Sequence, residues 1–409
     1  MNATTKMIKK PYAIVFGLDH INGLQPARAL ARHRIPVIGI AKDPQHYCAK
    51  TRVCERIIFA DTTSEELIVT LEELGPTLDE KAVLFPCTDI QVLLVSRYRH
   101  RLEEWYHVVL PSHDVIETLM DKTRFYAFAQ EHDLPIPRTM FLQNMEDAEK
   151  ASKELSFPCI MKPPLSANPE WEKNSKLKAY LLSSGEELLT AYRQFASLAE
   201  VLIVQEWIVG PITNLYSCNC YFNTAGEPVA TFVTHKLRQW PPDTGEGCLG
   251  EGFKNEKVVD ETIRLFKSVN YVGLGYLEMK RDDRNGKYLI VEPNVGRPTG
   301  RSVTAEAGGV ELLYTMYCDA LGWPLPENLE QKNKEVKWIY FRRDLQSSFY
   351  HWRRRELSLW DWLRSLRGVK IAALFSWTDQ GPFWGDILRS IRLYLSPEER
   401  KKRDYTTPL

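Results

Sequence analysis

The sequence predicts an α/β protein with more than one domain, and three observations lead to this expectation. Apolar, strand-like runs alternate with helical stretches over residues 13–86, which is the pattern of a parallel sheet covered by helices. Residues 273–295 contain two more apolar runs separated by a polar turn with an Asn-Gly step, which predicts a β-hairpin. With 409 residues, the chain also exceeds the size at which a single hydrophobic core stops growing.

The first segment is expected to form a small parallel-sheet domain. Its predicted strands are residues 13–17, 37–40, 57–59 and 82–86, and residues 25–33 have a helical pattern. Because ligands bind beyond the carboxyl ends of strands in such sheets, the loops after these strands are candidate binding segments.

Two loops of this domain carry polar residues at such positions. The first contains Asp19, His20 and Asn22, and it lacks the full Gly-x-Gly-x-x-Gly spacing of dinucleotide-binding loops. The second is Cys87-Thr88-Asp89, after the fourth predicted strand. Ordinary turn chemistry explains both loops equally well, so ligand contact and turn formation stay open as alternatives.

The predicted hairpin carries a candidate metal site. Glu278 lies in its first strand, and Glu292 and Asn294 lie two residues apart in its second, so these two project from one strand face. Two carboxylates and an amide oxygen suit Mg²⁺, which prefers hard oxygen ligands and shares its shell with phosphates. Arg297 follows closely, where it would meet charge developing on a phosphate or tetrahedral centre. The alternative is a solvated hairpin with surface acids, although charges inside apolar runs are costly.

Lys162 ends another apolar run, residues 157–163, and is followed by a proline. A lysine at the close of a buried strand presents a fixed ammonium, which suits the α- and β-phosphate oxygens of ATP. The alternative is an edge lysine whose stem covers apolar surface while its ammonium lies in water.

A basic pair follows two further predicted strands. Lys236 and Arg238 alternate with apolar neighbours, so we expect both to point the same way and to neutralise an acyl phosphate and its carboxylate precursor. A solvated strand face is an equal alternative. Residues 244–252 contain four glycines and are predicted to be a flexible loop that closes over substrates.

The hairpin sequence resembles the metal-binding end of the ATP-grasp ligases, in which a Glu on one strand precedes Glu-x-Asn-x-Arg on the next. Here the arginine stands one residue later, so Arg301 competes with Arg297 for its role. The resemblance covers roughly residues 11–330. It implies the following domains: a pre-ATP-grasp Rossmann-like domain at 1–115, an ATP-grasp α+β domain at 116–330 with a nucleotide-binding lid at 138–210, and a basic, Trp-rich C-terminal extension at 331–409.

The resemblance also implies a nucleotide site. Family members hold adenine on the main chain of a hinge strand, which corresponds to residues 201–210, and Asn214 stands near the position of the acid that binds the ribose. Residues 165–180 lack the Gly-rich phosphate flap of many relatives, which makes this chain similar to the carboxylate–amine ligase and D-aspartate ligase-like branch. The implied nucleotide contacts are Lys122, Lys162, Lys178, Gln205, Glu206, Ile208 and Asn214.

This branch implies an ATP-dependent carbon–nitrogen ligase. ATP would phosphorylate a carboxylate, with Mg²⁺ or Mn²⁺ at the phosphates, and an amine would attack the acyl phosphate to give an amide, ADP and phosphate. The leading domain would hold the acceptor or the carboxylate. The implied catalytic cations are Arg297, Arg301, Lys236 and Arg238. The alternatives are a carboxylase or purine-pathway ligase of the same superfamily, and a non-catalytic nucleotide-binding regulator or membrane-associated scaffold.

Composition narrows the partners and the location. The 53 basic and 53 acidic residues cancel, so no whole-chain charge indicates nucleic acid. No apolar signal segment follows Met1, and no apolar run approaches the ~20 residues that span a bilayer. Eight scattered cysteines without metal-like spacing favour a reducing cytosol. The expected partners are small carboxylate and amine (amino-acid-like) substrates, and a homodimer stays open.

The C-terminal segment differs from the rest of the chain. Residues 336–409 contain 15 Lys and Arg against 8 Asp and Glu, together with six of the eleven tryptophans. Such a segment suits attraction to anionic lipid headgroups, with aromatic rings at the interface and the protein peripheral to the inner face of the membrane. The favoured alternative is that the aromatic side chains pack on the ligase core and the arginines lie in water.

Overall fold

The structure, a computed structural model, describes residues 10–164, 179–242, 245–332 and 335–395. The chain forms two compact units whose boundaries fall inside or beside secondary-structure elements. Unit 1 comprises Met1–His113, Tyr216–Tyr276 and Val295–Leu409, and unit 2 comprises Asp114–Leu215 and Leu277–Asn294. The domain boundaries expected from the sequence stay a prediction.

Unit 1 begins with the parallel sheet that the sequence predicts. Its strands are β1 (Ala13–Phe16), β2 (Val37–Ala41), β3 (Arg56–Phe59), β4 (Ala82–Phe85) and β5 (Tyr106–His107). Their order is β3-β2-β1-β4-β5 and every pair is parallel. The central strands are fully buried, which explains their continuous apolar runs. The accompanying helices are α1 (Ile21–Arg32), α2 (Glu66–Leu74), α3 (Asp89–Arg97) and α4 (Arg99–Leu102).

The direction of strand succession reverses between β1 and β4. In open α/β sheets a crevice forms at such a reversal, outside the carboxyl ends of the two strands. Both polar loops singled out in the sequence lie there, one after β1 and one after β4. Gly17 makes the first turn with φ +69°, a conformation that favours glycine.

Unit 2 contains a four-stranded antiparallel sheet of order β6-β9-β7-β8. Its strands are β6 (Thr139–Leu142), β7 (Cys159–Lys162), β8 (Tyr180–Leu182) and β9 (Leu202–Glu206). The helices that precede or flank it are α5 (His113–Met120), α6 (Lys122–Glu131), α7 (Met145–Glu154) and α8 (Gly185–Phe195). Its core brings together Leu142, Met161, Leu188, Phe195 and Val204.

A third sheet has seven strands. Its strands are β10 (Leu215–Phe222), β11 (Pro228–Trp240), β12 (Glu246–Gly252), β13 (Gly273–Arg281), β14 (Tyr288–Val295), β15 (Val336–Ile339) and β16 (Val369–Ala372). The order is β14-β13-β10-β11-β12-β15-β16. The remaining α-helices are α9 (Glu256–Ser268), α10 (Val303–Gly308), α11 (Leu312–Ala320), α12 (Phe341–Arg353), α13 (Leu359–Ser365) and α14 (Gly381–Leu395). Short 3₁₀ turns lie at Tyr47–Lys50, Gly75–Thr77, Ala196–Leu198 and Ile212–Asn214.

The segment predicted to be a flexible closing loop is instead a strand, so that prediction is wrong. β12 pairs with β11 on one side and with β15 on the other. Its glycines allow close approach: a Cβ on Gly247 would lie 2.6 Å from an Arg301 nitrogen, and one on Gly250 would lie 3.0 Å from the carbonyl oxygen of His235.

The C-terminal extension packs into unit 1 through its inner face. β15 and β16 complete the edge of the seven-stranded sheet. Asp379 is buried and accepts hydrogen bonds from Arg28 Nε at 2.9 Å, Thr51 Oγ1 at 2.6 Å and the Arg52 backbone at 3.0 Å. None of the helices in the described ranges combines the length and hydropathy that a bilayer-spanning segment needs.

Candidate functional site

Lys162 ends β7 and is held in a small polar network inside unit 2. Its Nζ donates to the Tyr126 hydroxyl at 3.0 Å and to Gln205 Oε1 at 3.3 Å, and lies 5.0 Å from the centre of the Tyr126 ring. Gln205 donates in turn to Thr139 Oγ1 at 2.8 Å. The strand end and its neighbours therefore fix a half-buried ammonium.

The side chains predicted at the hinge strand serve the sheet itself. Gln205 is buried and uses both ends of its amide in the Lys162 network. Glu206 Oε1 accepts from the Ser156 backbone at 2.8 Å. The backbone N–H of Trp207 donates to the Pro158 carbonyl at 2.9 Å, and the Trp207 carbonyl accepts from the Arg284 guanidinium at 3.1 Å. Contact with adenine would therefore come through the main chain near Ile208, which stays a prediction.

Asn214 lies at the end of the 3₁₀ turn after β9. Its Nδ2 donates to Asp283 Oδ1 at 2.8 Å and to the Arg281 carbonyl at 3.2 Å, which ties this turn to the hairpin. Gly210 packs directly against it, because a Cβ there would lie 2.6 Å from Asn214 Nδ2. Asn214 therefore has a structural role, and its contact with a ribose stays a prediction.

Lys122 and Lys178 are the two remaining candidate lysines. Lys122 is the first residue of α6, and Asp121 caps that helix by accepting from the Arg124 backbone at 2.9 Å. The Asp-Lys pair therefore forms a helix start. Lys178 and the insertion at residues 165–178 lie outside the described residues.

The predicted hairpin is present, and its strands bear the predicted metal donors. The backbone N–H of Asp282 donates to the Lys287 carbonyl at 2.8 Å, and the backbone N–H of Gly286 donates to the Asp282 carbonyl at 2.7 Å. Glu278 lies on β13, and Glu292 and Asn294 lie on the neighbouring β14. Glu278 and Asn294 are buried and Glu292 is exposed.

This donor set fits Mg²⁺ in its chemistry. All three side chains offer hard oxygen atoms, and Mg²⁺ normally takes one or two carboxylates and completes its shell with water and phosphate oxygens. Within the described ranges, no group of three or more His, Cys, Asp and Glu side chains is gathered as for a closed metal site. The donors of the hairpin are of the kind that an open site shared with a phosphate uses.

Arg297 lies in unit 1 and is oriented by two neighbours. It forms an ion pair with Asp89 at the start of α3, and it donates to the Tyr276 hydroxyl at 3.0 Å. Burial alone would lower the pKa of Arg297, but Tyr276 and Asp89 raise it above its usual value. Its guanidinium therefore remains charged, and it lies at the β4 loop of the sheet reversal.

The β1 loop meets the same segment of the chain. His20 caps α1, because its Nδ1 accepts from the Asn22 backbone at 3.1 Å. Burial lowers the pKa of His20, which favours the neutral ring. Because Nδ1 accepts a hydrogen bond, the proton of the neutral ring lies on Nε2. Asn22 Oδ1 accepts from the Gly300 backbone at 2.9 Å, which anchors the segment just before Arg301.

Other charged groups of unit 1 surround His20. Glu246 and Arg343 form an ion pair at 2.7 Å, and these two side chains, together with Asp19 and Arg297, act electrostatically on the imidazole. The crevice loops, the segment after β14, Glu246 of β12 and Arg343 of α12 therefore supply one cluster of mixed charge. Its arginines suit a ligand that carries a carboxylate or a phosphate.

Lys236 and Arg238 lie on β11, where bulges interrupt the regular pairing: Lys236 pairs with Gly250 and Arg238 with the adjacent Leu249. Their common direction stays a prediction. Arg238 is buried and binds Asp344 through Nε at 2.7 Å and Nη2 at 3.1 Å. Arg238 is therefore engaged in a structural ion pair.

Lys236 lies beside Arg301, close to the mixed-charge cluster. A Cβ on Gly247 would lie 2.6 Å from Arg301 Nη1 and 3.5 Å from Lys236 Cγ, so both basic side chains pass over this glycine. Lys236 and Arg301 therefore lie on the same side of the sheet.

Comparisons with known proteins give both sequence and structural relatives, although no family model matches the chain. The D-aspartate ligase of Enterococcus faecium is 28% identical over 247 residues, which cover 58% of this chain and 58% of that protein. The D-alanine–D-alanine ligase of Pseudomonas entomophila is 26% identical over 182 residues, 43% of this chain and 54% of that protein. The chain thus spans less than two thirds of the length of these relatives.

Two solved structures share the fold over most of the chain. The ADP complex of purK, an N5-carboxyaminoimidazole ribonucleotide synthetase, has a TM-score of 0.61 at 16% identity and covers 85% of each chain. The biotin carboxylase domain dimer of Hydrogenobacter thermophilus 2-oxoglutarate carboxylase, in complex with MgADP and bicarbonate, has a TM-score of 0.59 at 14% identity, covering 80% of this chain and 73% of that one.

These matches indicate the ATP-grasp superfamily. The predicted fold class, a leading parallel sheet followed by an ATP-grasp module, is confirmed. Arg297 and the segment just before Arg301 both border the crevice of the leading sheet, so both arginines are candidates for the arginine of the pattern.

Three residues of the ATP-grasp candidate site were missed in the sequence. Arg343 was one of many basic residues in the C-terminal segment, and only its position just after β15 brings it to Glu246. Glu246 was hidden in the supposed loop. Tyr276, which orients Arg297, lies in an apolar strand where a tyrosine has no distinguishing signal.

Proposed function

We propose that the chain is an ATP-dependent carboxylate–amine ligase, which activates a carboxylate as an acyl phosphate and joins it to an amine. The observation that carries the proposal is the hairpin with three oxygen donors, Glu278, Glu292 and Asn294, on neighbouring strands. A donor set of this kind serves a metal that is shared with phosphates, as phosphoryl transfer requires.

In this proposal unit 2 binds the nucleotide. Lys162, fixed by Tyr126 and Gln205, offers its ammonium to the α- and β-phosphate oxygens. Lys122 contributes from the start of α6, and the main chain near Ile208 meets the adenine. Glu278, Glu292 and Asn294 would hold Mg²⁺ or Mn²⁺, which when bound neutralises phosphate charge and polarises the phosphoryl group.

The mixed-charge cluster of unit 1 binds the carboxylate and the acyl phosphate formed from it through its cations. Arg297 and Arg301 are charged donors for the anionic oxygens, with Lys236 beside them. His20 donates from Nε2, because its Nδ1 is occupied by the Asn22 backbone. A neutral histidine suits this role, since it adds a hydrogen-bond donor without adding a positive charge that would repel a protonated amine.

The sequence relatives support an amino-acid-like carboxylate or amine, because they are a D-aspartate ligase and D-alanine–D-alanine ligases. A second candidate is a carboxylation, which the fold neighbours favour, since one of them is a biotin carboxylase domain bound to bicarbonate. The proposal also includes a cytoplasmic location, peripheral to the inner face of the membrane. It further includes a homodimer, in line with the dimeric carboxylase domain.

The test is phosphate release from ATP by the full-length chain with Mg²⁺, screened over pairs of D- and L-amino acids and small carboxylates. Mass spectrometry of each active pair should find a product heavier than the acid by the mass of the amine minus water. Release that needs bicarbonate instead of an amine would favour carboxylation. Binding of ATP without release for any pair, in a protein whose fold is intact, would contradict the ligase proposal.

A further inference from the structure

Helix α12 has its polar side inward and its apolar side outward. Its buried residues are Asp344, Ser347 and Ser348. Its exposed apolar residues, 41–58% exposed and spaced by four, four and three positions, are Phe341, Leu345, Phe349 and Trp352. In a soluble protein the apolar stripe of a helix normally faces the core. The reversal in α12 therefore indicates an apolar partner outside the fold.

Helix α14 exposes a second stripe of the same kind. Its members, 49–73% exposed and spaced by four, three and four positions, are Trp384, Leu388, Ile391 and Leu395. A cavity of about 460 Å³ is lined by Phe341 and Leu345 from α12 together with Ile391 and Leu395 from α14. Each stripe thus contributes two residues to the same cavity. The eight residues of the two stripes are here named the two-helix surface.

Three of the five acids in the described part of the C-terminal segment are buried. The buried carboxylates Asp344, Asp379 and Asp386 are paired with Arg238, Arg28 and Arg342, respectively. The exposed acids Glu356 and Asp361 are paired with neighbouring arginines.

Eight of the eleven cations in the described part of the C-terminal segment are exposed. Its exposed basic residues are Arg353, Arg354, Arg355, Arg364, Arg367, Lys370, Arg389 and Arg392. Arg353 follows Trp352, and Arg392 follows Ile391, so positive charge flanks both stripes. The outer face of the segment is consequently apolar along two helices and cationic around them.

We infer that the two-helix surface docks on a lipid bilayer with anionic headgroups. The rings of Trp352 and Trp384 enter the interface, and the flanking cations contact lipid phosphates. A second copy of the chain is a poorer occupant because it would bring like charges together. Residues 396–409 are a poorer cover, because apart from two prolines only Tyr405 and Leu409 among them are apolar. The inference does not rest on the ligase proposal.

The test is flotation of the full-length chain with vesicles of phosphatidylcholine alone or mixed with phosphatidylglycerol. Binding is expected with the anionic vesicles at low salt and should fall steeply at roughly half-molar NaCl, which screens the headgroup charge. Arg353→Glu with Arg392→Glu should weaken binding by roughly fivefold or more for each residue. Trp352→Ser with Trp384→Ser should also abolish most binding, whereas the control Phe59→Ser, equally exposed on β3, should bind like the wild type.

The substituted side chains are exposed, so the variants should keep the wild-type unfolding transition, measured by circular dichroism alongside. The inference is overturned if the wild type does not float with anionic vesicles, or if both double variants float as well as it does. It is also overturned if the tryptophan variant abolishes a concentration-dependent dimer while vesicle binding is absent, because a second copy then covers the surface.

Discussion

Replacing Lys162 by alanine should weaken ATP binding far more than it weakens the fold. The ammonium lies in a network with Tyr126 and Gln205, and these two groups lie within 3.3 Å of each other, so they can remain bonded after the lysine is removed. What disappears is one charge-assisted hydrogen bond to phosphate, worth about 1.5–3 kcal/mol. The dissociation constant for ATP should therefore rise roughly tenfold to a hundredfold.

Isothermal titration calorimetry with ATP and Mg²⁺ measures this change directly. Tyr126→Phe is the matched control, because it removes one partner of Lys162 and leaves the ammonium; its effect on ATP affinity should be clearly smaller. Thermal unfolding of both variants reports whether the sheet survives. An unchanged dissociation constant in a folded Lys162→Ala protein would refute the assignment of this lysine to the phosphates.

Three further outcomes are expected. Glu292→Gln should remove Mg²⁺-dependent phosphate release while leaving the circular dichroism spectrum unchanged, and wild-type release would show that the hairpin is not the metal site. Asp379→Ala should lower the free energy of unfolding by about 3–5 kcal/mol in urea, since it leaves Arg28 buried without its carboxylate; a loss below about 1 kcal/mol would contradict this. Burial raises the pKa of Glu306 to about 8, above its value of about 4.3 in an unfolded chain. The stability from protonated Glu306 is therefore present below about pH 4.3 and lost as the pH rises through about 8. Glu306→Gln should remove this pH dependence of the free energy of unfolding, measured by denaturation at several pH values. If the free energies of the two proteins change with pH in parallel, the pKa of Glu306 is not raised.

The elements that the sequence predicted best are those whose pattern is local. The strand runs of the first sheet, and the hairpin around its Asn-Gly turn, follow from apolar periodicity and turn chemistry within a few residues. The oxygen donors Glu278, Glu292 and Asn294 were identifiable for the same reason, because hairpin strands lie side by side whatever the rest of the chain does.

The elements that it missed depend on contacts between distant parts of the chain. β12 was taken for a loop because its glycines lower strand propensity, yet two neighbouring strands pair with it. Lys236 and Arg238 were expected on one face because a strand alternates, and bulges beside them interrupt the regular pairing on which that expectation depends. A bulge is fixed by the register of the partner strand, which a single strand sequence does not contain.

Net charge alone does not distinguish the two interpretations of the C-terminal extension. Packing on the core and contact with a membrane were set against each other, but they concern opposite faces of the same segment. Asp344 and Asp379 neutralise arginines of the core from the inner face. Because these acids are buried, the exposed cations of the segment lie beside the apolar stripes of α12 and α14 without these carboxylates among them. Core packing therefore creates the cationic outer face that a bilayer would attract, and the orientation of each charge decides what the segment can bind.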